Sequence, residues 1–181
     1  MALSDPVAMP LAEELLACFE QELAMVLHPP SSIGFRPGSV TDLLLSETEN
    51  ECCNGLGWVR IAAIYPSSTA FPLQDEEPNP SGVLRWAIDL EMGVARCAPT
   101  PDPTVIPSNA EWEAVVRNVM DDAAAMRRAI CCFIALDPVN RKKTVLPRDW
   151  QPIDTQGGCA GGTMLVTVPG PACDCAEAGG S

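Results

Sequence analysis

The sequence predicts an α+β domain in which a mostly antiparallel sheet carries two helices packed on one face. Three observations carry that prediction. A two-residue apolar alternation runs from residue 83, a stripe of three- and four-residue steps fills 109–135, and a shorter helical pattern opens the chain. An antiparallel sheet with one buried face needs only one covering layer, so both helices are placed on the same side. At 181 residues the chain is long enough to bury a core and is read as a single domain over 1–181.

The first helix is expected over 6–27. Ser4 or Asp5 caps it, and Pro6 suits its first position because its φ is already helical. Leu11, Leu15, Cys18, Phe19 and Val26 fall on one face, and His28-Pro29-Pro30 ends the pattern. Residues 29–57 have no dominant period; Pro37-Gly38 marks a turn, and Leu43-Leu44-Leu45 reads as a short strand or a helical turn. Residues 58–65, rich in β-branched and aromatic side chains between Gly57 and Pro66, read as a strand. A long acidic loop follows over 66–82, with four prolines and the triplet Asp75-Glu76-Glu77.

In the next strand, 83–97, Leu84, Trp86, Ile88, Leu90 and Met92 point one way and Arg85, Asp89 and Glu91 the other, with a bulge or bend at Gly93. After a proline-rich connector, Ser108 and Glu111 match a capping box. Trp112, Val115, Val116, Val119, Ala123, Met126, Ile130, Phe133 and Ile134 then make the stripe of a helix over 109–135, which Asp137-Pro138 stops. Residues 144–154 read as extended. The glycines at 157, 158, 161 and 162 read as a tight turn into a strand over 163–168, and 169–181 as a loose Cys- and Gly-rich tail.

Composition narrows the function classes. Hydrophobic residues make up 47% and charged ones 19%, which excludes a disordered chain or a coiled coil. The longest apolar run, 129–136, falls far short of the roughly 20 residues a spanning helix needs, so no membrane association is expected. The N-terminus lacks a basic region ahead of an apolar one, so the expectation is a chain folded in a cytoplasm. A net charge of −13 opposes direct nucleic-acid binding; the one basic cluster, Arg141-Lys142-Lys143, reads as a solvated loop.

Catalytic chemistry finds little footing. His28 is the only histidine and sits at a helix end, where capping the last carbonyls is the simpler role. Glycine patterns that cradle phosphates are absent, and the glycines at 157–162 precede a strand rather than a helix. Asp121-Asp122 reads as an exposed helix face. No enzyme activity, catalytic residue, metal or cofactor is expected.

The nine cysteines admit three readings: buried thiols, disulfides or zinc. Adjacent cysteines diverge on a strand or a helix, so Cys52-Cys53 and Cys131-Cys132 are poor chelates. Cys173-Asp174-Cys175 could hold a metal only with two ligands from elsewhere. Cys18 and one of the 131–132 pair read as small core residues. Cys52, Cys97, Cys159, Cys173 and Cys175, at element ends or in loops, are the candidate disulfide cysteines.

Three segments carry a resemblance. Glu51-Cys52-Cys53-Asn54-Gly55-Leu56-Gly57-Trp58-Val59-Arg60 and Asp89-Leu90-Glu91-Met92-Gly93-Val94-Ala95-Arg96-Cys97 resemble segments of neck and tail proteins of long-tailed phages that infect actinobacteria. So does the turn at 157–163 with the strand Met164-Leu165-Val166-Thr167-Val168 that follows it. The order of elements is similar to that of the tail-terminator fold. The resemblance implies a structural virion protein, assembled in the host cytoplasm and located at the tail-neck junction. It implies a homo-hexameric ring that caps the tail tube, touching the tail tube protein on one side and the head-to-tail connector or stopper protein on the other. Asp75, Glu76 and Glu77 are then the candidate assembly contacts. The long 29–57 stretch and the cysteine tail depart from the family pattern. Another head-to-tail ring, a stopper or tail-completion protein, is the nearest alternative, although a stopper is expected to be a small all-β barrel without a long helix. A Cys-rich zinc-binding protein is the alternative from a different class.

Overall fold

The computed structural model describes residues 5–38, 53–67, 71–75, 85–99, 106–156 and 158–172. Helix α1 (Ala8–Leu23) is followed by β1 (Ser32–Phe35), β2 (Leu56–Pro66), β3 (Arg85–Cys97), α2 (Asn109–Leu136), the single turn α3 (Pro138–Arg141), β4 (Leu146–Gln156) and β5 (Cys159–Ala172). The strands form one sheet in the order β1-β2-β3-β5-β4. Only β1 runs parallel to its neighbour; the other three pairings are antiparallel. This is the α+β class, with both helices against one face of the sheet.

Alternation on the central strand decides which face is inside. Ile88, Leu90, Met92 and Val94 of β3 join Val59 of β2 and Met164, Val166 and Val168 of β5, and meet Leu15, Phe19 and Leu23 of α1 and Met126, Ile130 and Phe133 of α2. Cross-strand neighbours such as Met92–Met164 and Leu90–Val166 stack these side chains into rows.

Gly93 neither bends nor bulges the strand. It pairs with Trp58 on one side and Thr163 on the other, and a Cβ there would lie 2.1 Å from the Trp58 ring. The glycine makes room for an indole lying flat on the sheet, and Trp58 is fully buried as a result. Gly162 plays the same part for Trp150 on the helix-covered face, where a Cβ would lie 2.2 Å from that ring. Irregularities of register fall instead at Ile61–Ala63, Arg85–Ala87, Pro147–Trp150 and Ile153–Gln156.

The glycine-rich turn is shorter than expected. Gln156 pairs directly with Cys159, Gly158 adopts φ 75°, and Gly161 and Gly162 already belong to β5. At its other end β5 runs on to Ala172, so residues 169–172 are strand rather than the start of a loose tail. Beyond Thr167 that strand has β3 but not β4 beside it, which suits Pro169 and Pro171, since a proline has no N–H for a second ladder. Residues 173–181, and Leu43-Leu44-Leu45, lie outside the described residues.

Helix α2 starts where its sequence dictates, whereas α1 starts at Ala8 rather than Pro6, with Val7 at its N-cap position and Asp5 bonding to the first turn from two residues further out. The Asp5 carboxylate accepts from Val7 N at 2.9 Å and Ala8 N at 2.5 Å, and these bonds hold its pKa below the ordinary value. Ser108 and Glu111 form the reciprocal box, Ser108 N donating to Glu111 Oε2 at 2.7 Å and Glu111 N to Ser108 Oγ at 3.3 Å.

The helices pack antiparallel. Glu14 reaches Arg141, Cys18 reaches Cys132 and Glu22 reaches Arg128, so partner numbers fall as those of α1 rise. Their lengths do not match. At about 1.5 Å per residue, the 28-residue α2 is about 42 Å long and the 16-residue α1 about 24 Å. Helix α1 therefore covers only the C-terminal half of α2, and every buried residue of α2 lies at Val119 or beyond. The expected stripe is core from Val119 onward, whereas Trp112 and Val115 are half-buried and Val116 is exposed.

Candidate functional site

The place where α2 leaves its partner is fixed by a buried ion pair. Arg96, the last inward-facing residue of β3, donates from Nε to Asp122 Oδ2 at 2.5 Å and from Nη2 to Asp122 Oδ1 at 2.6 Å. The same Nη2 donates to the His28 carbonyl at 2.7 Å, so one guanidinium ties together the sheet, α2 and the chain just after α1. Burial pushes the Asp122 carboxyl above its ordinary pKa, and Arg96 offsets part of that shift.

Asp122 is thus not part of an exposed face, unlike its neighbour Asp121. The sequence held the signal. Arg96 continues the inward series 88, 90, 92, 94 on β3, and Asp122 lies among Val119, Ala123 and Met126 on the helix stripe. A charge on an inward face costs least when it is paired, so Arg96 and Asp122 are candidates for each other. His28 contributes its backbone to this joint; α1 ends at Leu23, so its imidazole does not cap that helix.

Beyond the joint, an open groove of about 790 Å³ runs between the chain after α1 and the uncovered half of α2. Leu27 and His28 form one wall, and Val116 and Met120, one turn apart on α2, form the other. Leu27 is 77% exposed, Val116 57% and Met120 45%, and Met25 nearby is 63% exposed. Apolar side chains this exposed on one continuous surface are a feature of protein–protein contacts. At the rim Glu113 is bound by Arg117 of the next turn, while Asp121 has no ion pair among the described residues.

On the face of the sheet opposite the helices, Leu56, Trp58, Ala95 and Cys159 form a second, smaller buried apolar cluster, and paired polar groups lie beside it. Arg60 grips Glu91 with two bonds, Nε to Oε1 at 2.8 Å and Nη2 to Oε2 at 2.9 Å, and also donates to the Gly38 carbonyl at 2.7 Å. Trp58 Nε1 donates to the same carboxylate at 3.3 Å. One row along, Thr167 donates to Asp89 at 2.6 Å and the Tyr65 hydroxyl to the Pro72 carbonyl at 2.9 Å. Burial and the nearby Asp89 charge raise the Tyr65 pKa, which keeps the phenol protonated. Arg60 and Glu91 face each other across the strand pair and occupy each other's binding atoms, so they brace the sheet.

The cysteines divide differently from expectation. Cys18 and Cys132 are not core thiols but a disulfide, with Cα atoms 5.8 Å apart on the facing stripes of α1 and α2. Cys97 is bonded to Cys53, which was not among the candidates, and Cys159 is disulfide-bonded as well. Cys131, pointing away from its neighbour as helical geometry requires, is a free and exposed thiol. Among the described residues no group of three His, Cys, Asp or Glu side chains is placed to hold a metal. Cys52, Cys173 and Cys175 lie outside the described residues.

Of the acidic triplet, Asp75 is half-buried and its N–H donates to the Pro66 carbonyl at 2.9 Å; Glu76 and Glu77 lie outside the described residues. Asp75 lies on the segment that follows β2 and is not among the residues that line the groove. The sequence carries no signal of the groove, because Val116 lies on the apolar stripe of α2 and reads as core. Among the described residues no helix is long and apolar enough to cross a membrane. No protein-family model matches the chain, and no curated protein matches it.

Proposed function

We propose that the chain is a structural assembly subunit, the tail terminator of a long-tailed phage, which closes the tail tube as a hexameric ring and offers its other side to the head connector. The observation that carries an assembly role is the uncovered half of α2, where Val116 and Met120 lie exposed beside Leu27. Burying such a surface is worth roughly 25 cal/mol per Å² of apolar area, and nothing on this subunit claims it among the described residues. The α+β architecture with one long helix, and the three segments at 51–60, 89–97 and 157–168, support the terminator over a small all-β stopper. The net charge of −13 keeps free subunits dispersed until a complementary surface arrives.

Native mass spectrometry of the unreduced chain tests this reading. The expected species is metal-free and has six times the 19.2 kDa chain mass. A monomer carrying one zinc would overturn it and move the cysteine tail to the centre. A ring that binds the head connector but never the end of a tail tube would reassign the protein to another position in the same neck.

A further inference from the structure

Two surfaces near the ends of α2 complement each other in chemistry. At the N-terminal half lies the groove, with Leu27, Val116 and Met120 as its apolar part and, on its rim, Asp121, a carboxylate without an ion pair among the described residues. At the opposite end, Leu136 and Val139 are 55% and 85% exposed. They are followed by Lys142 and Lys143, both exposed and without an ion pair among the described residues. These are the only two lysines in a chain of net charge −13. Arg141, beside them, is already committed: it binds Glu14, lies over the Phe133 ring and donates to the Phe133 carbonyl.

We propose that the groove receives a second copy of the chain, and that the part received is the α2–α3 corner, with Leu136 and Val139 entering between Leu27 and Val116 and the lysines meeting Asp121. This deepens the ring reading and rests on it. Val116 and Leu136 are twenty residues apart on one helix, about 30 Å, so a chain cannot place its own corner in its own groove. The contact is therefore heterologous: each copy gives a corner to one neighbour and takes one from the other. A head-to-tail contact of that kind closes into a ring when its rotation permits, whereas a face-to-face contact stops at a dimer. Charge complementarity sets the direction, because two grooves brought together would oppose their Asp121 carboxylates and two corners would oppose their lysines.

Sedimentation velocity on four versions of the full, unreduced chain tests the pairing: wild type, Asp121→Lys, Lys142→Glu with Lys143→Glu, and all three changes together. All of these side chains are exposed, so the fold tolerates the substitutions. The expected result is a closed oligomer for wild type, self-association weakened by about tenfold or more in each single-surface variant, and recovery to within about threefold of wild type when the charges are exchanged. Val116→Asp, which blocks the groove without a charge partner, should leave the chain monomeric. Wild-type oligomers that persist in Val116→Asp and in both charge variants would overturn this contact while leaving the ring reading in place. A wild-type chain that stays monomeric at every concentration would overturn both. Weakening in the two charge variants without recovery in the exchanged one would overturn the direct pairing of Asp121 with the lysines.

Discussion

The two halves of α2 share a helix but not an environment. From Val119 to Phe133 the inward side chains are buried against α1 and the sheet, and Cys132 is bonded to α1. From Asn109 to Asn118 no side chain is buried, and Val116, a member of the same stripe, faces outward. Both halves have similar apolar spacing. Periodicity therefore states that a helix has an apolar face, and only the length of the neighbouring helix decides how much of that face the subunit itself covers. Among the described residues nothing covers the other half, and it is this half that the proposed assembly role uses.

The largest effect that would sharpen this contrast comes from the covered half. Phe133 is fully buried, and Phe133→Ala should cost up to about 5 kcal/mol, measured by denaturant unfolding of the unreduced chain. A loss under 1 kcal/mol would show that this half is not the anchored one. At the joint, Arg96→Ala leaves Asp122 buried and unpaired and should cost about 3 kcal/mol. Replacing both residues with leucine should recover most of that, since neither then leaves a buried charge. If the double variant is as unstable as the single one, Arg96 acts chiefly through the His28 carbonyl rather than through Asp122.

At the uncovered end, Ser108→Ala removes the cap and should cost about 1 kcal/mol. Acid distinguishes the end from the joint. Hydrogen bonds from Ser108 lower the Glu111 pKa, so its contribution is present above the ordinary carboxylate pKa and is lost as pH falls through the lowered value. Asp122 behaves oppositely: its pKa is raised by burial, so its contribution is full in acid and declines as pH rises through the raised value. Glu111→Gln should flatten the acid loss and Asp122→Asn the decline above it, both read from unfolding midpoints between pH 3 and 7. Smallest of all, Val116→Asp should change subunit stability by no more than about 0.5 kcal/mol. A loss of several kcal/mol there would mean that Val116 is core after all.

Much of this architecture was legible in the sequence, and the exceptions have physical causes. The capping box at Ser108 and Glu111, the β3 alternation and the helix α2 each follow from a local rule that the structure obeys. The four-residue β1 was not legible, because it is too short for a period and is held only by pairing with β2. Nor was the role of Gly93, which depends on Trp58 thirty-five residues earlier. The Cys18–Cys132 bond joins residues 114 positions apart, and inward placement on two stripes does not reveal that those stripes face each other. The groove escaped for the same reason: the mismatch in helix length becomes a surface only once α1 and α2 are packed.

Hydrogen exchange, compared between dilute monomer and assembled chain, tests that difference most directly. Amides of 112–121 should gain protection on assembly while those of 124–133, already covered by α1, stay unchanged. Equal exchange at 112–121 in the two states, with protection arising elsewhere, would contradict the claim that the uncovered half of α2 is the assembly surface.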